Sequence, residues 1–129
     1  MLIKDGRVYI RKDSLGGAEE GIQSGPLLLA DGKVYDHVHK GANIRKIARR
    51  SAVAVTYGGQ LLLASTDADI EGLTIAQLTA VLKGLGAQHA LALDGGGLAQ
   101  LYVSSKDYSV SGWDRVPVAL EVFPRSRTR

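Results

Sequence analysis

The alternation of short apolar runs and turn residues in the first two-thirds of the chain predicts antiparallel hairpins. The runs are separated by Asp5-Gly6, by Asp31-Gly32 and by Gly58-Gly59. These pairs readily adopt the positive φ angles of tight hairpin turns. We therefore expect three strand pairs, formed by residues 1–4 with 7–11, 26–30 with 33–35, and 51–57 with 60–65.

The strongest helical signal lies in the second half of the chain. Thr74 and Gln77 have the spacing of a capping box, and the apolar residues that follow recur at intervals of three or four. Gly84 and Gly86 then supply residues that tolerate the left-handed conformation at which helices end. The spacing predicts a helix over about residues 74–84, with its apolar face packed on a sheet.

The remaining segments complete an α+β prediction. Residues 89–93 and 98–103 resemble two successive strands, residues 117–123 resemble a last strand, and residues 42–49 resemble a short helical turn. We expect a single domain over residues 1–123, with a largely antiparallel β-sheet and one main helix packed on it. A basic tail of six residues, 124–129, follows this domain.

Composition limits the classes of site that we expect. The chain has 129 residues, of which 45% are hydrophobic and 22% are charged, as in ordinary globular domains. It has no cysteine, so a disulfide framework is excluded. His37 and His39 alternate as two metal ligands would, but no third ligand lies at a suitable spacing. We expect no metal and no cofactor.

Two further expectations concern membranes and location. The first ten residues carry Lys4, Asp5 and Arg7 among apolar residues, unlike a signal peptide. No apolar run has the length of a membrane span. We therefore expect a soluble chain without a signal peptide, and the sequence does not indicate its location.

The net charge of +3 comes from the end of the chain, where Arg125, Arg127 and Arg129 lie. Without these three arginines, the acidic and basic residues balance. We interpret the tail as a disordered, solubilising segment. Nucleic-acid binding through the tail and through the basic residues of 40–50 is a less favoured alternative, because no nucleic-acid-binding motif is present.

Three consecutive glycines after Asp94 indicate a ligand site. Gly95, Gly96 and Gly97 carry no Cβ, so a phosphate or sugar ring can approach the main chain, and successive amides can bind an anion. The neighbouring carboxylate could act as an acid, a base or a nucleophile. The alternative interpretation is an ordinary Asp-Gly hairpin turn between two strands.

Five stretches resemble the phosphodiester glycosidase domain family in their order and approximate spacing. The resemblance covers residues 21–123, and family members cleave sugar phosphodiesters or occur with bacterial exopolysaccharides. The stretches are GIQSGPLLLADGKV at 21–34, RRSAVAV at 49–55, LLLAST at 61–66, GLTIAQLTAVLKGLGAQHALALDGGG at 72–97 and VPVALEV at 116–122.

The resemblance implies hydrolysis of a sugar-1-phosphodiester, or of a related glycosidic bond in a polysaccharide or glycoconjugate. Asp94 would be the catalytic carboxylate. Asp67, which follows a predicted strand at an acidic position of the family, would be the second, although Asp67 and Asp69 are also typical loop caps. The substrate would be a carbohydrate or sugar phosphate.

The resemblance also implies the groups that bind the substrate. Arg50 corresponds to a family arginine, and its guanidinium suits a pair of phosphodiester oxygens. Its neighbours Arg45, Lys46 and Arg49 suggest a basic patch. The resemblance assigns further contacts with phosphate or sugar to the three glycines Gly95, Gly96 and Gly97 and to Gln23 and Ser24.

Three departures from the family pattern leave an alternative function open. Ala92 and Leu98 stand where the family usually has Asn and Ser, and Ala54 stands where it has Gly. The family also usually has a longer segment before the stretch at residue 21. The alternative is a carbohydrate- or phosphate-binding module without catalysis, and self-association could complete its site.

Overall fold

The computed structural model describes residues 1–13, 16–35, 38, 42–67 and 71–123, with the backbone alone for Ala42 and Asn43. These residues form ten strands and two α-helices. In chain order the elements are β1 (Leu2–Lys4), β2 (Arg7–Tyr9), β3 (Glu20–Gly21), β4 (Leu27–Ala30), β5 (Lys33–Val34), α1 (Ala42–Arg45), β6 (Ser51–Thr56), β7 (Leu61–Ser65), α2 (Ile75–Gly84), β8 (Ala87–Ala92), β9 (Leu101–Val103) and β10 (Tyr108–Val110).

The main sheet has five strands in the order β5-β4-β8-β6-β7. Each of its strand pairs is antiparallel, so β8 lies between the oppositely directed strands β4 and β6. A second antiparallel sheet has the order β2-β1-β3, and β9 and β10 form a separate hairpin. With one main helix, this architecture confirms the predicted α+β class.

The three predicted hairpins are confirmed. They are β1–β2, β4–β5 and β6–β7. Asp5-Gly6 and Asp31-Gly32 both adopt positive φ angles, as tight hairpin turns require. In the third turn only Gly59 has a positive φ, of 79°, and residues 57–60 form a longer connection between the strands.

The predicted helix is also confirmed as α2. The Thr74 hydroxyl accepts a hydrogen bond from the Gln77 amide at 3.1 Å, and the Gln77 side chain accepts one from the Thr74 amide at 2.8 Å. This capping box satisfies two amides that the first helical turn leaves unpaired. Gly86, with a φ of 85°, follows the helix end, whereas Gly84 is its last residue.

Alternating side chains of the central strands divide the core into two layers. Along β6, Ala52 and Ala54 belong to the buried cluster under α2, whereas Val53 belongs to the cluster on the opposite face. Because successive side chains of a strand point to opposite faces, each face receives one of these sets. The small alanines face the helix. Val53 packs on the other face with Met1 and Ile10, which flank the β2-β1-β3 sheet.

The strand predicted at residues 98–103 is shorter than expected. A 3-10 turn, Gly96–Leu98, leads to β9 at Leu101–Val103, whose partner is β10. Residues 94–97 therefore do not form a hairpin turn between neighbouring strands. The predicted helical turn is limited to α1, Ala42–Arg45.

The predicted last strand, residues 117–123, is absent from the described part of the chain. This segment has the apolar composition of a strand but no partner in a ladder. Val118, Val122 and Phe123 are 66%, 57% and 78% exposed. Leu120, in contrast, packs against the buried cluster that contains Val53 and Met1.

Candidate functional site

The predicted site residues meet at one end of the main sheet, which we call the site end. Strand β8 finishes there, and its neighbours β4 and β6 begin there. The Ala92 amide donates to the Pro26 carbonyl at 3.0 Å, and the Leu93 amide donates to the Ser51 carbonyl at 2.9 Å. The start of the glycine turn therefore lies between the 23–26 turn and the start of β6.

Strand β7 brings an acidic residue to the same end. Ser65 of β7 lies directly opposite Ser51 of β6, and Asp67 follows two residues later. The Asp67 side chain is exposed and accepts a hydrogen bond from the Tyr108 hydroxyl at 3.3 Å. Four strand ends thus contribute to the site end, although they lie up to 65 residues apart in the sequence, from Leu27 to Ala92.

The glycine turn is fastened to the start of β6. The Ser51 hydroxyl donates to the Asp94 carbonyl at 2.6 Å, and the Gly96 amide donates to the Arg49 carbonyl at 2.8 Å. A Cβ on Gly95 would lie 2.7 Å from the same Arg49 carbonyl oxygen, which is closer than real Cβ contacts. This close approach of two main chains requires glycine at position 95. It also means that the Gly96 amide already has an acceptor.

Asp94 has an exposed side chain. Among the described residues, no group donates a hydrogen bond to its carboxylate or forms an ion pair with it. Its main chain, in contrast, is fixed by the Ser51 hydroxyl. The arrangement therefore presents an accessible carboxylate on a fixed backbone, and such a group can accept a proton from, or attack, a bound molecule.

Arg50 lies beside the glycine turn, because its Cδ is 3.8 Å from the position of a Cβ on Gly95. Its Nε donates to the Leu73 carbonyl at 3.0 Å, and its Nη2 donates to the Lys46 carbonyl at 2.6 Å. Partial burial lowers the pKa of the guanidinium through desolvation. The positive charge is therefore next to the turn, but two of its nitrogen atoms are bound to the main chain.

Arg49 does not belong to the surface patch in which the sequence placed it. It is 8% exposed, and its Nη1 and Nη2 donate to the carbonyls of Ser111 and Ala99 at 2.7 and 3.1 Å. Its Cζ lies 5.4 Å from the centroid of the Trp113 ring, within the range of a cation–π contact. Of the proposed patch, Arg45 and Lys46 are exposed, so the basic surface is smaller than expected.

Trp113 and Asp114 lie at the glycine turn, although sequence reasoning missed them. Both of their amides donate to the Gly97 carbonyl, at 3.1 and 3.2 Å. A Cβ on Gly97 would collide with the Trp113 Nε1 and with the Asp114 carboxylate. The two residues follow the turn by sixteen positions and share no periodic pattern with it. The presence of a single tryptophan in an aromatic-poor chain was the only signal.

Gln23 and Ser24 precede β4 at the site end. Gln23 is exposed, Ser24 is half-buried, and the Gly25–Pro26 peptide bond that follows them is cis. Because the Pro26 carbonyl accepts from the Ala92 amide, the turn is held next to the end of β8. Both polar side chains therefore lie in a turn that is held at the site end.

The three residues that depart from the family pattern, Ala54, Ala92 and Leu98, lie in different environments. Ala54 and Ala92 are buried in the core under α2, at 0% and 2% exposure. Leu98 is half-buried at the end of the 3-10 turn. The first two substitutions therefore add to the apolar core, and the third lies in the turn itself.

Several predicted features fall outside the described residues, namely His37, His39, Asp69 and the tail at 124–129. Within the described part of the chain, no three His, Cys, Asp or Glu side chains are grouped as metal ligands. The described helices include none that is long and apolar enough to cross a membrane.

Comparison with known proteins gives one family and two solved structures of interest. The model of the phosphodiester glycosidase family matches residues 1–123. A hypothetical protein from Synechocystis has a TM-score of 0.55 and 28% identity, and the match covers 72% of this chain and 18% of that one. No curated protein matches significantly.

The second structure is the catalytic domain of zebrafish N-acetylglucosamine-1-phosphodiester alpha-N-acetylglucosaminidase, auto-inhibited by its pro-peptide. It has a TM-score of 0.54 and 28% identity, and the match covers 61% of this chain and 31% of that one. The chain thus spans less than a third of the length of either structure.

Proposed function

Since this chain belongs to the phosphodiester glycosidase family, we propose that it hydrolyses a sugar-1-phosphodiester or a related glycosidic bond of a polysaccharide or glycoconjugate. The observation that carries the proposal is the accessible Asp94 carboxylate at the site end, on a main chain fixed by Ser51. The 23–26 turn and the Arg50 charge flank it. Family membership supports a hydrolase in general, and the substrate is our inference.

In the proposed reaction, a water oxygen bonds to the anomeric carbon as the bond from that carbon to the phosphate oxygen breaks. Asp94 accepts the proton of the water, as a general base does. The phosphate departs with the bonding electron pair as a stable anion, so it needs little protonation. One well-placed carboxylate then carries most of the chemistry.

Asp67 is the second carboxylate in this proposal. Its strand β7 is separated from β8 by β6 alone, so the two strand axes are about 10 Å apart. Inverting glycosidases hold two carboxyl groups about 6.5–9.5 Å apart with a water molecule between them, and we propose that Asp94 and Asp67 act as such a pair.

The substrate contacts in the proposal follow from the remaining groups. Arg50 supplies a positive charge beside Gly95, although its Nε and Nη2 stay on main-chain carbonyls. Because the Gly96 amide is bound to Arg49 and Gly97 is buried, we assign the phosphate contact of the turn to the Gly95 amide. The two polar side chains of the 23–26 turn, Gln23 and Ser24, contact sugar hydroxyls or a phosphate oxygen.

The test is release of the sugar from a labelled N-acetylglucosamine-1-phosphodiester, the bond named for the zebrafish relative. Asp94→Asn keeps the shape of the side chain but removes its basicity, so turnover is expected to fall by about 10²-fold or more. Asp31→Asn is the matched control, because Asp31 is also exposed but lies at the far end of β4. Full turnover in Asp94→Asn would contradict the proposal.

A binding module without catalysis is the second candidate. It is favoured by the hydrogen bonds that occupy Arg50 and the Gly96 amide, since both groups would otherwise be offered to a phosphate. Ala92 and Leu98 in place of polar residues point the same way. Calorimetric binding of the phosphodiester, without any sugar release over hours, would support this candidate instead.

A further inference from the structure

The packing around Trp113 does not explain why this large apolar side chain is exposed to solvent. It is the single tryptophan of the chain, it is 71% exposed, and its amide is bound to the Gly97 carbonyl. The Arg49 guanidinium lies over its ring at 5.4 Å. One face of the indole is thus backed by a buried cation, which fixes the ring and leaves the rest of it in contact with solvent.

Asp114 is held equally firmly against the same turn. Its amide donates to the Gly97 carbonyl at 3.2 Å, and its own carbonyl accepts from the Gln100 side chain at 2.8 Å. Its carboxylate lies against the Cα of Gly97, where the structure leaves no room for a Cβ. An exposed ring and an exposed carboxylate therefore stand side by side at positions that the backbone determines.

A fixed aromatic ring beside a hydrogen-bond acceptor has the chemistry of a saccharide site. The C–H groups on one face of a pyranose carry a slight positive charge and pack on the negative face of an aromatic ring. The hydroxyls at the rim of the sugar donate to a carboxylate in charge-assisted hydrogen bonds. A polyanion is disfavoured, because the carboxylates of Asp94 and Asp114 flank the turn.

We propose that Trp113 and Asp114 form a saccharide subsite beside the glycine turn, in which a sugar ring stacks on the open indole face and donates a hydroxyl to the Asp114 carboxylate. This subsite rests on the proposed function, because it holds part of the same substrate. Asp94 and Gly97 are three residues apart, so their Cα atoms are separated by at most about 10 Å. A single bound sugar or disaccharide can reach both carboxylates.

The sole tryptophan provides a direct probe of this subsite. The full chain is titrated with methyl N-acetylglucosaminide, with N-acetylglucosamine 1-phosphate and with inorganic phosphate, and the indole emission is followed. Both saccharides are expected to shift the emission, whereas inorganic phosphate alone is not. A shift with phosphate alone, or with none of the three compounds, would overturn the subsite.

Substitutions then test which contact matters, with affinities measured by calorimetry. Trp113→Ala is expected to weaken saccharide binding by about tenfold, the effect of losing one stacking ring, whereas Trp113→Phe retains most of the affinity. Tyr57→Ala is the matched control, since Tyr57 is 67% exposed at the opposite end of the sheet. Equal affinity in Trp113→Ala and in the control would refute the inference.

The Asp114 carboxylate is tested separately. Asp114→Asn keeps the backbone contacts with Gly97 and Gln100 but weakens the acceptor, so saccharide affinity is expected to fall by several-fold. The binding result is independent of catalysis. Saccharide binding that depends on Trp113, without turnover, would support the subsite and contradict the proposed hydrolysis. Turnover by Trp113→Ala with an unchanged KM would support the proposed hydrolysis and contradict the subsite.

Discussion

Replacing Ser51 by alanine removes the side chain that ties the glycine turn to the main sheet. Ser51 is 8% exposed, and its hydroxyl donates to the Asp94 carbonyl at 2.6 Å. The backbone contact between the Ser51 carbonyl and the Leu93 amide is retained in the variant. The substitution therefore loosens the chain at Asp94 without breaking the ladder that precedes it.

The expected cost follows from this one bond. A neutral hydrogen bond contributes about 1 kcal/mol of net stability. Because Asp94 is exposed, water can replace the lost donor at its carbonyl, so no buried unsatisfied group is added. We expect the free energy of unfolding to fall by about 1 kcal/mol, and Tm to fall by roughly 3–6 °C for a domain of this size.

Ser65→Ala provides the control for this measurement. Ser65 lies directly opposite Ser51 in the β6–β7 ladder, and its hydroxyl makes only a long contact, 3.5 Å, with the Thr66 carbonyl. Urea unfolding should therefore show a change below about 0.5 kcal/mol for Ser65→Ala. Hydrogen exchange should accelerate at Gly95 and Gly96 in Ser51→Ala alone. Equal stabilities and equal exchange in the two variants would show that the hydroxyl does not hold the turn.

Three further substitutions test how the site end and the core are supported. Gly72→Ala places a Cβ on the Ala48 carbonyl at a φ of +125°, so urea unfolding should show a loss of more than about 2 kcal/mol. Thr74→Ala removes the N-cap of α2 and should cost about 1 kcal/mol, seen as a lower Tm. Leu82→Ala empties a fully buried position and should cost about 2–5 kcal/mol by the same unfolding assay; a loss below 1 kcal/mol would contradict the packing described.

Local signals explain why part of the fold could be predicted. The three hairpins follow from Asp-Gly and Gly-Gly pairs, and α2 follows from Thr74, Gln77 and the apolar spacing between them and Gly86. Each of these signals acts within a few residues. The segment at 117–123 has strand-like composition as well, but a strand also needs a partner, and pairing is a long-range property that composition does not encode.

The candidate site was predictable to the extent that sequence motifs mark it. Sequence motifs mark Asp94, Arg50 and Gln23, and the antiparallel order of the strands brings them to one end of the sheet. The basic neighbours of Arg49 predict an exposed side chain, and only the tertiary contacts with Ser111 and Trp113 reveal its burial. The Arg49–Ser111 contact joins residues that are 62 positions apart, so no local sequence pattern indicates it.

The β6–β7 connection has a practical consequence for engineering the protein. It lies at the end of the sheet away from Asp94, and a side chain added to Gly59 would meet no atom within 4 Å. A peptide tag, fluorophore or surface anchor placed between Gly58 and Gly59 would project into solvent. Immobilised in that orientation, the chain would keep the site end, with Asp94 and the glycine turn, facing away from the support.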